Sequence, residues 1–509
     1  MRPRGEMAVH MKERLKKLFQ NEMFVGIACA VGCIILIGAI ILTAVLLTRG
    51  NQATGKNTDS TFSFAVPSDE EESSKEESSG QPSSQEQAAQ TSSKTSSSSK
   101  QNSSKQTSSK EQVSSQAPLV EPPKANANDY KAMAKQNTYR AKLLARTYMD
   151  DFYDPQTFVQ FMEYPFRTVG VTTAWEYGAM MSMQTMMAKI DKSEISLMNN
   201  VIEGMQYYGR KKNGELEAYV VHRGDFPMGA SDEGLAYDDN IWIAINYIQA
   251  YQNTGNKTYL SQAEHIMNYL WEEAWFEPLG GFFWDYRKEA RHSCSNNPAI
   301  KPYVDLYKLT GKKQYLDRAK QVFEFSYNAL KDKKLNIYED LVGARQENGK
   351  WVEGSSAGTG FYSYNTGAMI SGASALYSVT KDKKYLDEAL ACAEGAYEYF
   401  GVKDQVKGYV GWPYKRENGS ETQIWFNVIL LRGYIDLYEV APQEATKYIL
   451  MFQNSIDYAF THYLDGGYLP YDWLGGWHGK ERDRYKRALD HSSNVEIYAM
   501  LADWQSRRK

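Results

Sequence analysis

The sequence predicts an all-α domain, a closed (α/α)6 toroid of inner and outer helices over residues 128–509, and three observations predict it. First, apolar residues recur at helical spacing through this stretch, and alternating β-branched runs are few. Second, a helix-hairpin pattern repeats as Ala250-Tyr-Gln-Asn-Thr-Gly-Asn-Lys-Thr-Tyr-Leu260, Leu306-Tyr-Lys-Leu-Thr-Gly-Lys-Lys-Gln-Tyr-Leu316 and Leu376-Tyr-Ser-Val-Thr-Lys-Asp-Lys-Lys-Tyr-Leu386, with a fainter copy from Asp436 to Tyr448 in which Pro442 replaces the Thr-Gly turn. Each copy ends one apolar helix, turns on polar residues and opens the next helix with Tyr-Leu and then small residues such as Ala319, or Ala389 and Ala391. Third, the copies lie about 56, 70 and 60 residues apart, separated by aromatic and Gly-rich insertions such as Gly280-Gly-Phe-Phe-Trp-Asp285 and Gly466-Gly-Tyr-Leu-Pro-Tyr471. Short regular loops would suit an open solenoid, whereas long variable ones suit a closed ring with a pocket at one end.

Before this domain the chain changes character twice. Residues 23–48 carry no charge and are dense in Ile, Leu, Val and Ala, which is long enough for a transmembrane helix. Arg2, Arg4, Lys12, Arg14, Lys16 and Lys17 precede it, so the positive-inside rule makes residues 1–22 a cytoplasmic tail and puts the rest outside the cell. The membrane is thus an expected partner through residues 23–48. A cleaved signal peptide is the competing reading, against which stand the length of the apolar run and its lack of a small-x-small cleavage site. Residues 49–127 are built mainly of Ser, Gln, Lys, Glu and Thr, too poor in apolar side chains to offset ordering entropy, and read as a disordered linker.

The net charge of -4 gives no cationic surplus for phosphate neutralisation, so nucleic acid is not an expected partner. Tyrosines number 37 and tryptophans 11, and because the linker is poor in them they concentrate in the helical domain, where flat rings either fill a core or stack on sugar faces. Cys294 and Cys392 can pair or stay as buried thiols; the sequence leaves both open. The seven histidines show no helical metal-ligand spacing, the single Glu289-Ala-Arg-His292 reads as a charged face, and neither a metal nor another cofactor is expected. Gly354-Ser-Ser-Ala-Gly358 has the spacing of a nucleophile elbow without its strand and helix, and reads as a loop.

The candidate site is Ala236-Tyr-Asp-Asp-Asn-Ile-Trp242, immediately before the apolar helix Ile243 to Tyr251. Side chains of adjacent residues diverge at a helix start, yet Asp238 and Asp239 can keep their carboxyl groups about 5 Å apart, the separation a retaining glycosidase uses for nucleophile and acid/base. Two like charges so close raise one pKa, as a general acid near neutral pH requires. The plain alternative is an N-cap followed by a first-turn acid on the helix dipole.

Tyr237-Asp-Asp-Asn-Ile-Trp242, followed in order by Ala250-Tyr251, Thr254-Gly255, Tyr259-Leu260, Gly280-Gly281 with Trp284, Asn296-Asn297 with Ala299, Leu306-Tyr307, Thr310-Gly311, Tyr315-Leu316 and Tyr364-Asn365-Thr-Gly367, closely resembles glycoside hydrolase family 76. The resemblance implies the (α/α)6 toroid, a retaining endo-α-1,6-mannanase without catalytic metal acting on a polysaccharide or oligosaccharide, Asp238 as nucleophile and Asp239 as acid/base. Related fungal members imply cell-wall transglycosylation as the alternative, and a non-catalytic glycan-binding wall protein is the alternative from another class. Ser295-Asn-Asn-Pro-Ala299 departs from the family's usual Lys-Asn-Ala and bears on substrate preference. Around the acids, Trp175, Trp242, Trp284 and Tyr364 are candidate sugar platforms, Asn297 and Asn365 candidate partners of sugar hydroxyls, and Asp285 a solvated turn residue. Glucuronyl hydrolysis or epimerisation on the same fold would use separated acids or paired histidines.

Overall fold

A computed structural model describes residues 119–508, apart from 127, 166–169, 232–233, 402–404, 407–408 and 411–422. The expected cytoplasmic tail, membrane helix and nearly all of the linker lie outside the described residues. Among the described residues no helix is long and apolar enough to cross a membrane.

Among the described residues, twelve helices of two turns or more order the domain: α1 (Tyr130–Phe152), α2 (Ala174–Ile190), α3 (Ile195–Gly204), α4 (Tyr237–Thr254), α5 (Lys257–Glu273), α6 (Ser293–Thr310), α7 (Lys313–Ala329), α8 (Ser363–Thr380), α9 (Lys383–Phe400), α10 (Ile424–Tyr438), α11 (Pro442–Tyr463) and α12 (Ala488–Ser506). The even-numbered helices pack each against the next, α2 on α4, α4 on α6, α6 on α8, α8 on α10 and α10 on α12, and α12 returns to α2 to close the ring. The odd-numbered helices lie outside them, α5 against α4, α7 against α6, α9 against α8 and α1 against α12. The expected inner and outer ring is thus present. Inner helices are buried nearly all round, as in α12, whereas outer helices show one apolar stripe, as in α7.

The repeated turns have one chemistry. Thr254, Thr310 and Thr380 each donate a hydroxyl proton to the carbonyl four residues back, at 2.7, 2.7 and 2.8 Å, and accept the backbone N–H two residues on. Gly255 and Gly311 then take the left-handed conformation, φ 71° and 73°, that reverses the chain; in the third copy Lys381 does so at 58°. Asn256 and Asp382 cap the following outer helices. Tyr315 and Tyr385 are buried under these turns, Tyr315 stacked on Tyr303 at 6.2 Å.

Because the inner helices from α2 to α10 end in turns of two to four residues, the long connections all gather where the inner helices begin. Short antiparallel pairs tie them together there: Arg291–His292 with Leu341–Val342, and Lys486–Arg487 with Glu163–Tyr164. Where α8 meets α10 the backbones pack closely, since a Cβ on Gly367 would stand 2.5 Å from the Leu430 Cα.

Candidate active site

Asp238 and Asp239 occupy the first turn of α4, at the end of the ring where the long loops converge. Neither caps its helix: the N-cap position is Ala236, which offers no side-chain acceptor. Two contacts set this turn. Asn240, fully buried, accepts from the Tyr219 N–H at 2.9 Å and donates to the Tyr219 carbonyl at 2.7 Å, locking α4 onto the strand Glu215–Tyr219. The Tyr237 N–H donates to the Trp284 carbonyl at 2.8 Å, which draws the loop before α6 across the acids.

Both residues are half-buried, but their carboxyl ends are enclosed. Burial raises the Asp238 carboxyl above its ordinary value, and the Cys294 thiol and Trp284 indole beside it partly offset this by favouring the ionised form. One of its oxygens, Oδ1, is buried without a partner. Burial raises Asp239 well above the carboxylate range, and the neighbouring charges of Asp238 and Glu176 add to the effect with no donor to counter it. The donors therefore favour ionisation of Asp238 and leave the proton on Asp239. A third acid, Asp340, approaches from the loop before α8; burial lifts it to about 6, while Asn365 Nδ2 donates to it at 3.3 Å. His292 Nδ1 lies 3.7 Å from Asp340, and burial depresses its pKa to about 4, so it is a neutral imidazole in this cluster.

Of the expected residues, Trp284 meets Asp238 directly, and its ring lies 5.1 Å from His292. Trp175 and Trp242 line a tight compartment with Asp239, closed by Trp425 and Arg432, which leaves only 10 Å³ for the centre of a water molecule. Tyr364 packs on Phe426 at 4.3 Å beside it. Asn297 is fully buried and donates to the Asn365 carbonyl at 2.9 Å, a clamp from α6 to α8 beneath the site. Asn365 is equally buried and reaches the site only through Asp340. Asp285 pairs with Arg287 in an exposed turn. Cys294 and Cys392 are both free, and Cys392 donates to Glu388.

Sequence reading missed Asp340, His292, Cys294, Trp425 and Phe426. Trp425 and Phe426 had a local signal, an aromatic at the start of an inner helix, as at Trp175 and Tyr364. Asp340 and His292 had none, since only loop pairing between Arg291–His292 and Leu341–Val342 brings them together.

A roomier cavity of 590 Å³ lies inside the ring towards the opposite end, lined by Lys189, Lys301, Asp305, Asp436 and Arg507 among others. Its charges are largely paired, Lys301 with Asp305 at 2.8 Å and Lys189 with Asp503 at 2.9 Å. Volume alone does not locate chemistry; unpaired, pKa-shifted acids do, and these are at the other end.

The model of glycosyl hydrolase family 76 matches residues 136–503. The chain belongs to this family and is a glycoside hydrolase. Among solved structures, the family 76 mannosidase Bt3792 of Bacteroides thetaiotaomicron is 26% identical, with a TM-score of 0.63 over 73% of this chain and 98% of that one. A variant of the α-1,6-mannanase of Salegentibacter sp. HEL1_6, inactivated by replacing two consecutive aspartates with asparagine and bound to α-1,6-mannotriose, is 16% identical, with a TM-score of 0.57 over 72% and 99%. A D-mannose isomerase shares the fold at a TM-score of 0.52 and 14% identity, over 74% and 99% of the two chains. The same ring thus serves different chemistries, and the site must carry the assignment. A search of curated proteins gave no match.

Proposed function

We propose that this glycoside hydrolase cleaves α-1,6-mannan-type chains with retention of configuration, Asp238 acting as nucleophile and Asp239 as acid/base. The observation that carries the reading is geometric: two adjacent carboxyls stand enclosed in the first turn of α4 without capping it, and Cys294 and Trp284 lie beside Asp238. In the first step Asp238 attacks the anomeric carbon while Asp239 gives its proton to the leaving oxygen. Asp239, now ionised, takes a proton from water, which releases the sugar from Asp238 and restores both groups. Trp175, Trp284 and Tyr364, each partly exposed beside the acids, support the reading as aromatic faces for the sugar's C–H surfaces, with Trp242 buried behind them. Support for mannan comes from the mannosidase and mannanase relatives and from the consecutive aspartates whose replacement inactivates one of them.

The uncharged stretch 23–48 and the basic residues before it support a domain held outside the cell on a membrane anchor. The test of the activity is product analysis of the full chain and of Asp238→Ala with linear α-1,6-mannan, with the anomer followed by NMR. Manno-oligosaccharides of retained configuration from the wild type alone are expected. Inverted product would remove Asp238 as nucleophile, and no product from either would remove mannan hydrolysis; longer chains instead of shorter ones would make the enzyme a transglycosylase.

A further inference from the structure

Beside the loop that leads into α6, an open cleft of 500 Å³ lies between that loop and α7. Trp275 supplies its aromatic surface, Phe325 is buried in its floor, and Glu277, Gln321, Asn328 and Glu353 supply polar edges. It is built rather than incidental. Trp275 is backed by Trp271, stacked at 4.4 Å, and Gly281, at φ 86°, lets the loop close directly onto the Phe325 ring, which a Cβ at 2.4 Å would prevent. Glu277, Gln321 and Asn328 are engaged in no hydrogen bond with other described residues, so their polar groups face an occupant or water.

The hairpin Ala344–Glu347 with Lys350–Glu353 borders the cleft through Glu353 and carries Trp351, which is 40% exposed. The Trp351 ring is not loose: it stands edge-on to Phe276 at 5.1 Å and 88°. Arg291, fully buried, fixes the hairpin to the body by donating to the Gly343 carbonyl at 3.0 Å, the Gly280 carbonyl at 2.8 Å and Glu353 at 3.1 Å. The next residues along, His292 to Cys294, reach the acids of the active site.

We propose that this cleft and Trp351 form a second glycan-binding site, outside the catalytic pocket, that holds a neutral polysaccharide chain. Rigid aromatic faces match the C–H faces of pyranose rings, and unengaged amide and carboxylate groups match their hydroxyls. The site rests on the activity proposed above, because the chain it holds is the one the acids cleave; it raises the enzyme's hold on polymer without touching the reacting sugar.

The test uses the full chain carrying Asp238→Asn, to prevent cleavage, in native gels cast with linear α-1,6-mannan, with Trp351→Ala and the double variant Gln321→Ala/Asn328→Ala compared in that background. Retardation by mannan is expected to weaken about tenfold with Trp351→Ala, and to weaken with the double variant. With Asp238 intact, the ratio of rates on mannan and on mannotriose is expected to fall for both. Unchanged retardation and an unchanged ratio, in a wild type that cleaves mannan, would overturn the site alone. A wild type neither retarded by mannan nor able to cleave it would overturn the proposed substrate and the site together.

Discussion

The two ends of the helix ring are built from the same twelve helices and hold opposite kinds of charge. Where the inner helices end, turns are two residues long in three of the repeats, and the acids have cations: Asp305 has Lys301, and Asp503 has Lys189 and Arg507, the latter at 3.0 Å. Where they begin, loops are long, and Asp238, Asp239 and Asp340 sit enclosed with no lysine or arginine among the causes that set their pKa values. A carboxylate that has a cation beside it is inexpensive to keep, whereas an enclosed carboxyl without one is destabilising when ionised. A fold retains such groups at one end only where they serve chemistry, and that end is the one with loops able to shape a substrate.

The contrast breaks most sharply at Asp238. Asp238→Ala is expected to lower the turnover of mannan by about 10⁴-fold or more, with the fold intact by circular dichroism; a loss under tenfold would take the nucleophile away from this position. Next is the packing both ends share. Gly367→Ala would drive a methyl group into the backbone of α10 and is expected to cost about 1–3 kcal/mol in urea unfolding; no change would mean that α8 and α10 are less closely packed than described.

Asp340→Asn sharpens the comparison, because here a substitution should stabilise. The folded-state pKa of about 6 lies above the ordinary 3.8, so the folded protein holds a proton that the unfolded chain has released between those values. Stability from this group is therefore greatest at low pH and is lost as pH rises through that window. The amide cannot ionise, so the variant is expected to be more stable at pH 7 by on the order of 2 kcal/mol, read as a higher Tm, with the gain vanishing near pH 3.5. A lower Tm at pH 7 would mean that the ionised carboxyl is well partnered. At the opposite end, Lys189→Ala removes a half-exposed partner of Asp503 and is expected to change stability by less than about 1 kcal/mol; a large loss there would erase the distinction between the ends.

The helix hairpins were legible because their determinants are neighbours in sequence. Thr310 bonds to Leu306, Gly311 turns the chain and Tyr315 starts the next helix, all within one repeat. The adjacency of Asp238 and Asp239 was likewise legible, as was the aromatic character of Trp242 and Trp284. Two residues read as sugar contacts, Asn297 and Asn365, are instead wholly buried at the α6 to α8 contact, because an Asn at an inner-helix start has the same local pattern whether it faces the pocket or the neighbouring helix.

The sequence by itself determined which segments are helical, where they turn and that two acids stand together, since each depends on contacts within a few residues. Only the tertiary structure decided which acid keeps its proton, because the donors that favour Asp238, Trp284 and Cys294, lie 46 and 56 residues further along the chain. It also decided that Asp340 and His292 join the site, because a pKa is set by what surrounds a group in space, and spatial neighbours from separate loops leave no periodic trace in the chain.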